Sequence, residues 1–254
     1  MTPRVTSGTM SATIAPGLLL QQVSVGFGGR AVLRGLDLEL AGGTLTAVLG
    51  RSGVGKSTLL RRVAGLVHGG GTVVATDADT LPERVAFMGQ SDLLLPWLTV
   101  AGNAALGARL RGEQVDQRRL GDVLRAVELN GHEQKRPAEL SGGMRQRAAL
   151  ARTLMEDRPV VLMDEPFSSV DALTRLRLQD LSARLLKGRT VMLVTHDPWE
   201  AIRMADRIVV LAGEPAGLVF DRAPDGDAPR APDTSESLAM WRDLMAALEL
   251  DVAA

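Results

Sequence analysis

Cysteine is absent from the 254 residues, which excludes a disulfide scaffold, a thiolate metal site and a cysteine nucleophile together. A basic excess is absent as well. The chain has 29 Lys+Arg against 30 Asp+Glu, a formal charge of −1, so it lacks the usual footprint of nucleic-acid binding by phosphate neutralisation. The uncharged stretch Leu93 to Ala108 is interrupted by Pro96, Gly102, Asn103 and Gly107. It falls short of the about 20 apolar residues that a membrane-spanning helix needs. The N-terminus has Arg4 and then Thr, Ser, Gly and Pro, with no apolar run before Leu18, so no signal peptide is expected. Residues 1–16 read as a disordered arm, with Met10 an alternative start. Lysine is scarce: Lys56, Lys135 and Lys187 are the only three, which makes a lysine inside a motif informative. What remains, 45% hydrophobic and 23% charged, is ordinary globular composition, enough for one large domain or two small ones.

The apolar run Leu45-Thr-Ala-Val-Leu49 stops at Gly50-Arg51-Ser52-Gly53-Val54-Gly55-Lys56-Ser57, and the amphipathic stretch Thr58 to Leu66 follows. This is strand, glycine loop, helix, and the loop fits G-x-x-x-x-G-K-[ST]. The chemistry needs that order. Glycines let backbone N–H groups turn toward a phosphate, and the helix start adds the positive end of its dipole. Lys56 is then expected at the terminal phosphates of a nucleotide and the Ser57 hydroxyl on Mg²⁺. A phosphate loop alone leaves kinases, GTPases, motors and transporters open.

Val160-Val-Leu-Met-Asp164-Glu165 reads as a buried strand ending in two carboxylates. In phosphate-loop proteins the first holds Mg²⁺ and its neighbour can polarise the attacking water. Alone, the string reads equally well as a strand followed by a solvated acidic turn. A third strand, Thr190 to Thr195, ends at His196, where open α/β sheets bind ligands. Between them, Leu140-Ser141-Gly142-Gly143-Met144-Arg-Gln-Arg147 opens a helix with Met144, Ala148, Ala151 and Met155 along one face. Ser141 is its expected N-cap, and the glycines expose the first N–H groups as a second anion site.

From about Leu18 to Leu211 the chain resembles the ATPase subunit of an ABC transporter. Its Leu140-Ser-Gly-Gly-Met144 is similar to the family signature L-S-G-G-Q, with Met144 as the departure. The resemblance implies ATP and Mg²⁺ as ligands. Phe27 is then the aromatic stacked on adenine. Gly50 through Thr58 form the phosphate loop, and Ser57, Asp164 and Gln90 serve the metal. Gln90, Glu165 and His196 are the catalytic set: a glutamine sensing metal and water, the base, and the histidine orienting the terminal phosphate. Ser168-Ser-Val-Asp171 resembles the loop S-A-L-D, with Asp171 kept and Ser169 and Val170 as variants. Ser141, Gly142 and Gly143 act on nucleotide across a head-to-tail dimer, and Asp171 belongs to the nucleotide-binding set.

The fold so implied is α/β: a P-loop NTPase (RecA-like) core, an antiparallel β subdomain containing Val23–Phe27 and Leu36–Leu40, and an inserted helical signature subdomain. The ATPase domain spans 17–222, with the helical part about 91–153. Residues 223–236 read as a linker and 237–254 as a closing helix with Leu238, Trp241, Leu244, Met245 and Leu248 on one face. That helix either docks on its own core or meets a partner, and it is too short for an appended regulatory domain.

The expected function is an ATP-hydrolysing translocase subunit, peripheral on the cytoplasmic face of the inner membrane. It would be a homodimer or pseudo-dimer that energises transmembrane permease subunits and works with an extracytoplasmic substrate-binding protein, without nucleic acid. Leu94-Leu-Pro-Trp-Leu-Thr-Val100 and Leu140–Gln146 resemble ATPases of nitrate/sulfonate/taurine-type importers and their pyrimidine-precursor relatives. Pro96-Trp97 is either packing within the helical subdomain or part of the surface that receives the transmembrane subunits. The alternatives are an exporter or lipoprotein-release ATPase, or a soluble ATPase. A chromosome-type ATPase would need heptad insertions that the chain lacks. A small-molecule kinase would leave Ser141–Met144 and His196 without roles.

Overall fold

The computed structural model describes residues 15–168 and 170–249. Positions 1–14 of the expected arm, Ser169, and 250–254 of the expected closing helix lie outside the described residues. In chain order the elements are β1 (Leu18–Phe27), β2 (Arg30–Leu40), β3 (Leu45–Leu49), α1 (Lys56–Val63), β4 (Gly70–Ala75) and β5 (Val85–Met88). Then come α2 (Val100–Ala104), α3 (Leu106–Leu110), α4 (Gln117–Ala126), α5 (Gly142–Met155), β6 (Val160–Asp164) and α6 (Ala172–Leu185). The last are β7 (Thr190–Val194), α7 (Pro198–Met204), β8 (Arg207–Ala212), β9 (Gly217–Arg222) and α8 (Ser235–Glu249).

Two sheets carry the fold. The larger runs β5-β6-β7-β3-β8-β9, parallel except for the antiparallel edge strand β9. β3, β6 and β7 are buried along their whole length, which is why their sequences are continuous apolar runs: parallel strands covered on both faces have no side to give to water. The smaller sheet, β2-β1-β4, is antiparallel and alternates buried with exposed residues, as one solvated face requires. Its hairpin is longer than Val23–Phe27 and Leu36–Leu40, because Gly28 and Gly29, both at positive φ, close a tight turn between Phe27 and Arg30. Helices α2 to α5 form the inserted helical layer.

The first described residues and the segment before α8 are fastened to this frame. The Pro16 carbonyl accepts a hydrogen bond from Thr190 Oγ1 at 2.7 Å, so the last residues before β1 are docked. Within the segment read as a linker, the buried Arg230 guanidinium donates to the carbonyls of Ile202 and Ala205 at the end of α7, and to those of Asp225, Pro224 and Gly226. The closing helix begins at Ser235. Leu244 and Ala247 are its buried apolar contacts, Trp241 stacks on Trp199 of α7 at 5.9 Å, and Leu238 lies on the exposed side. No helix among the described residues is long and apolar enough to cross a membrane.

Candidate functional site

Parallel order puts the C-terminal ends of β5, β6, β7 and β3 on one edge of the sheet, and each end carries a candidate residue: Gln90, Asp164-Glu165, His196 and Gly50–Ser57. The strand ends therefore bring together what the sequence scatters over 147 positions from Gly50 to His196.

The loop after β3 can only be built with glycine at its start. A Cβ on Gly50 would come within 2.5 Å of the Leu211 carbonyl oxygen. Helix α1 then begins at Lys56 behind Gly55. The Lys56 ammonium folds back into the loop, donating to the carbonyls of Gly50 at 2.7 Å and Arg51 at 2.9 Å. Burial pushes its pKa below the usual lysine value, while Glu165 and Asp164 pull it back up. A buried ammonium whose hydrogen bonds, among the described residues, go to two loop carbonyls is poised to exchange them for an anion. Ser57 Oγ donates to Asp164 Oδ1 at 2.9 Å. Burial raises the Asp164 pKa; the Ser57 hydrogen bond and the charges of Arg61 and Lys56 oppose that rise, and Glu165 adds to it.

Glu165 is the hub. It sits at φ 46°, a left-handed backbone uncommon for a non-glycine residue, and its N–H donates to the Val194 carbonyl of the neighbouring strand end at 2.8 Å. One carboxylate oxygen, Oε2, accepts from Gln90 Nε2 at 3.2 Å and lies 3.1 Å from His196 Nδ1. Three residues singled out as catalytic in the sequence thus meet at one atom. Ser168 Oγ donates to the Glu165 carbonyl at 3.0 Å, bracing the same loop.

The donor set fits a divalent cation. The Ser57 hydroxyl, the Asp164 carboxylate and the Gln90 side chain offer hard oxygens, and Asp164 is buried without a full counter-charge. Among the described residues no three Asp, Glu, His or Cys side chains gather, so a cation here would take its remaining ligands from substrate phosphates and water, the usual manner for Mg²⁺.

A second group lies elsewhere. Ser141 caps α5, its Oγ accepting from the Met144 N–H at 3.3 Å. Gly143 abuts the first turn of α6, and a Cβ there would meet Thr174 Cγ2 at 2.7 Å. Asp171 caps α6 through the Thr174 N–H at 3.0 Å, and its backbone hydrogen bonds hold its pKa below the usual carboxylate value. Ser141–Gly143 thus lie against the first turn of α6 that Asp171 caps, and among the described hydrogen bonds neither group reaches the loop 50–57. Phe27 stands apart at the end of β1, 55% exposed.

Sequence reasoning missed the connectors. Arg145 pairs with Asp92 at 3.1 Å, and Arg152 donates to the carbonyls of Asp92 and Leu93, both at 2.7 Å, so α5 grips the segment that follows Gln90. Buried Gln146 donates to the Pro166 carbonyl, tying α5 to the Glu165 loop. The available signal was their polar side chains among the small apolar residues of one helix. Asn103, buried, bonds Leu95, Leu98 and Thr99 and cinches the turn that leaves Trp97 66% exposed, so Trp97 is not a packing residue of the helical layer.

Comparison with known proteins gives one answer. The family model described as ABC transporter matches residues 33–168. The chain is 46% identical over 205 residues to the aliphatic sulfonates import ATP-binding protein SsuB 2 of Streptomyces avermitilis, covering 80% of each chain. It is 41% identical over 242 residues to SsuB 1 of Xanthomonas axonopodis pv. citri, 91% of this chain and 96% of that one. Among solved structures, the dimeric post-hydrolysis state of the ATP-binding cassette MJ0796 bound to ADP and phosphate superposes with a TM-score of 0.71 at 27% identity. That match covers 83% of this chain and all of the other.

Proposed function

Since the chain belongs to the ABC transporter family, as an ATP-binding and ATP-hydrolysing subunit that energises import of a small solute, we propose that the solute is an aliphatic sulfonate or a close chemical relative and that hydrolysis runs on the Gln90–Glu165–His196 cluster. The relatives named for sulfonate import support the substrate class. The meeting of Gln90 and His196 on Glu165 Oε2 is the single observation that carries the chemistry.

In this reading Lys56 gives up its two loop carbonyls for the terminal phosphates of ATP, and the amides at the start of α1 hold the phosphate chain. Ser57, Asp164 and Gln90 hold Mg²⁺, which when bound offsets phosphate charge. Glu165 Oε2 takes a proton from the attacking water as its oxygen bonds to phosphorus and the bond to the ADP oxygen breaks. Gln90, hydrogen-bonded to the resting carboxylate, and His196, 3.1 Å from it, are placed to turn toward the water and the phosphate when ATP binds. Phe27 meets the adenine.

The group Ser141–Gly143 and Asp171 has no business with its own chain's phosphate loop in the described contacts. It completes the site of a second copy in a head-to-tail dimer, a reading supported by the dimeric cassette that the chain resembles. The domain bounds follow: 17–222 binds and hydrolyses ATP, about 91–153 presents the signature, and 223–249 braces α7. Exposed Trp97 belongs to the face that receives transmembrane permease subunits at the cytoplasmic side of the membrane, with an extracytoplasmic binding protein delivering the solute. The test is ATP turnover by the chain co-purified with the membrane subunits encoded beside its gene, in vesicles. Stimulation by an alkanesulfonate and its binding protein supports the reading. Stimulation by a different solute class refutes the substrate, and membrane subunits that neither retain the chain nor raise its turnover refute the importer.

A further inference from the structure

Helix α6 leaves the loop that ends at Asp171, and α7 leaves the loop that carries His196. A polar ladder joins the two helices. Arg175, in the first turn of α6, sends Nη1 to Asp197 Oδ2 and Nη2 to the Val170 carbonyl, each at 3.4 Å. One turn later Gln179 Nε2 lies 3.5 Å from Glu200 Oε2, and Arg203 Nη2 donates to Asp180 Oδ1 at 2.6 Å. The far end of α7 is fixed as well, because Arg203 Nη1 donates to the Arg230 carbonyl at 2.9 Å while Arg230 caps Ile202 and Ala205. Helix α7 is therefore fixed at its C-terminal end.

Asp197 governs its N-terminal end. Its Oδ1 accepts from the N–H groups of Trp199 at 2.9 Å and Glu200 at 3.4 Å, and its own N–H donates to Thr195 Oγ1 at 3.0 Å. Whatever moves this carboxylate turns the backbone of His196 beside it. The other terminus of the Arg175 fork is the Val170 backbone, two residues from Ser168, which braces the Glu165 carbonyl.

We propose that Arg175 is a positioning residue for hydrolysis: its guanidinium joins the loop before α6 to the carboxylate beside His196, so that displacement of one loop moves the other. The inference rests on the reading of Glu165 and His196 as the hydrolytic pair. It requires arginine, because two donors on separate nitrogens serve two acceptors at once, which a lysine ammonium on a flexible stem does poorly. The contacts are long and partly exposed, with 33% of the Arg175 and 28% of the Asp197 side-chain surface open to water. They add little to folding, and what they supply is alignment.

The test uses Arg175→Met, Arg175→Lys, Asp197→Asn and the Met/Asn double variant, measured for melting temperature, ATP affinity, KM and kcat. Asn keeps a capping oxygen for α7, so the Asp197 change removes the charge and spares the helix. The expected result for Arg175→Met is an unchanged melting temperature, ATP affinity within about twofold, and kcat lower by about tenfold or more, in line with the cost of a small misplacement of catalytic groups. Arg175→Lys recovers part of the rate, and the double variant is no slower than the slower single one. Wild-type kcat in Arg175→Met, rate losses that multiply in the double variant, or a loss of rate matched by equal losses of ATP affinity and melting temperature would overturn the proposal. His196→Ala in the same assay separates the two levels. If it is inactive while Arg175→Met is normal, only the positioning role falls; if it turns over normally, the underlying reading falls and takes the proposal with it.

Discussion

Glu200 offers a stability test that reads the packing of α7 directly. It is 4% exposed, Gln179 Nε2 lies 3.5 Å from its Oε2, and Oε1 has no hydrogen-bond partner among the described residues. Burial first, and then the charge of Asp197, push its pKa up to about 8; Thr195, Arg175 and Gln179 oppose the rise. Between the unfolded value near 4.5 and about 8, the folded protein holds a proton that the unfolded chain has released. Stability from this group is therefore fully present below the lower value and is lost as pH rises through the upper one, at about 1.4 kcal/mol per pH unit inside the window. Over the whole window the loss is of order 5 kcal/mol, a large share of the stability of a typical domain. Glu200→Gln keeps the shape and has no proton to lose. Denaturant midpoints at pH 5 and pH 9 give the difference between the two proteins, in which contributions common to both cancel. The variant should match the wild type within about 1 kcal/mol at pH 5 and exceed it by several at pH 9. A difference that is constant across pH would refute the argument, because it would mean that Glu200 is ionised in the fold or reaches water.

Two further changes address the nucleotide sites. Lys56→Ala removes a buried ammonium that serves two loop carbonyls and no core contact, so calorimetry should find ATP affinity reduced by about 100-fold or more with folding intact; wild-type affinity would reject the loop as the phosphate site. Ser141→Arg should leave ATP binding by the single chain near normal and stop hydrolysis. Mixing it with Lys56→Ala should restore about a quarter to a half of wild-type turnover through the one intact composite site, and a mixture no more active than either parent would contradict action across the dimer.

The site was legible in the sequence wherever chemistry and secondary structure coincide in a short string. The strand, glycine loop and helix around Gly50–Ser57 were legible because strand, glycines and lysine are contiguous, and Ser141 declares a helix start by its capping chemistry. Glu165 and His196 were legible as polar residues at the ends of apolar strands, and the sheet order then placed them side by side. Arg175, Gln146 and Arg230 were not legible. Each looks like an ordinary solvated polar residue on a helix or in a proline-rich stretch, and its role depends on carbonyls and carboxylates far away in sequence. On α8 the expected face packs through Trp241, Leu244 and Leu248, while Leu238 is exposed and Ser237 takes the buried place in the first turn, its Oγ donating to the Ala231 carbonyl at 2.8 Å.

The measurement that bears most directly on the account is the behaviour of Glu165→Gln with saturating MgATP. The substitution keeps an acceptor for Gln90 and His196 and removes the base, so ATP should bind with wild-type affinity and turnover should fall by about 100-fold or more. Binding without turnover removes the step that separates the ATP-bridged dimer, and light scattering should then show the variant as an ATP-bound dimer while the hydrolysing wild type stays mostly monomeric. Continued turnover by Glu165→Gln at the wild-type rate would contradict the assignment of Glu165 as the base and, with it, the reading of the cluster as the hydrolytic site.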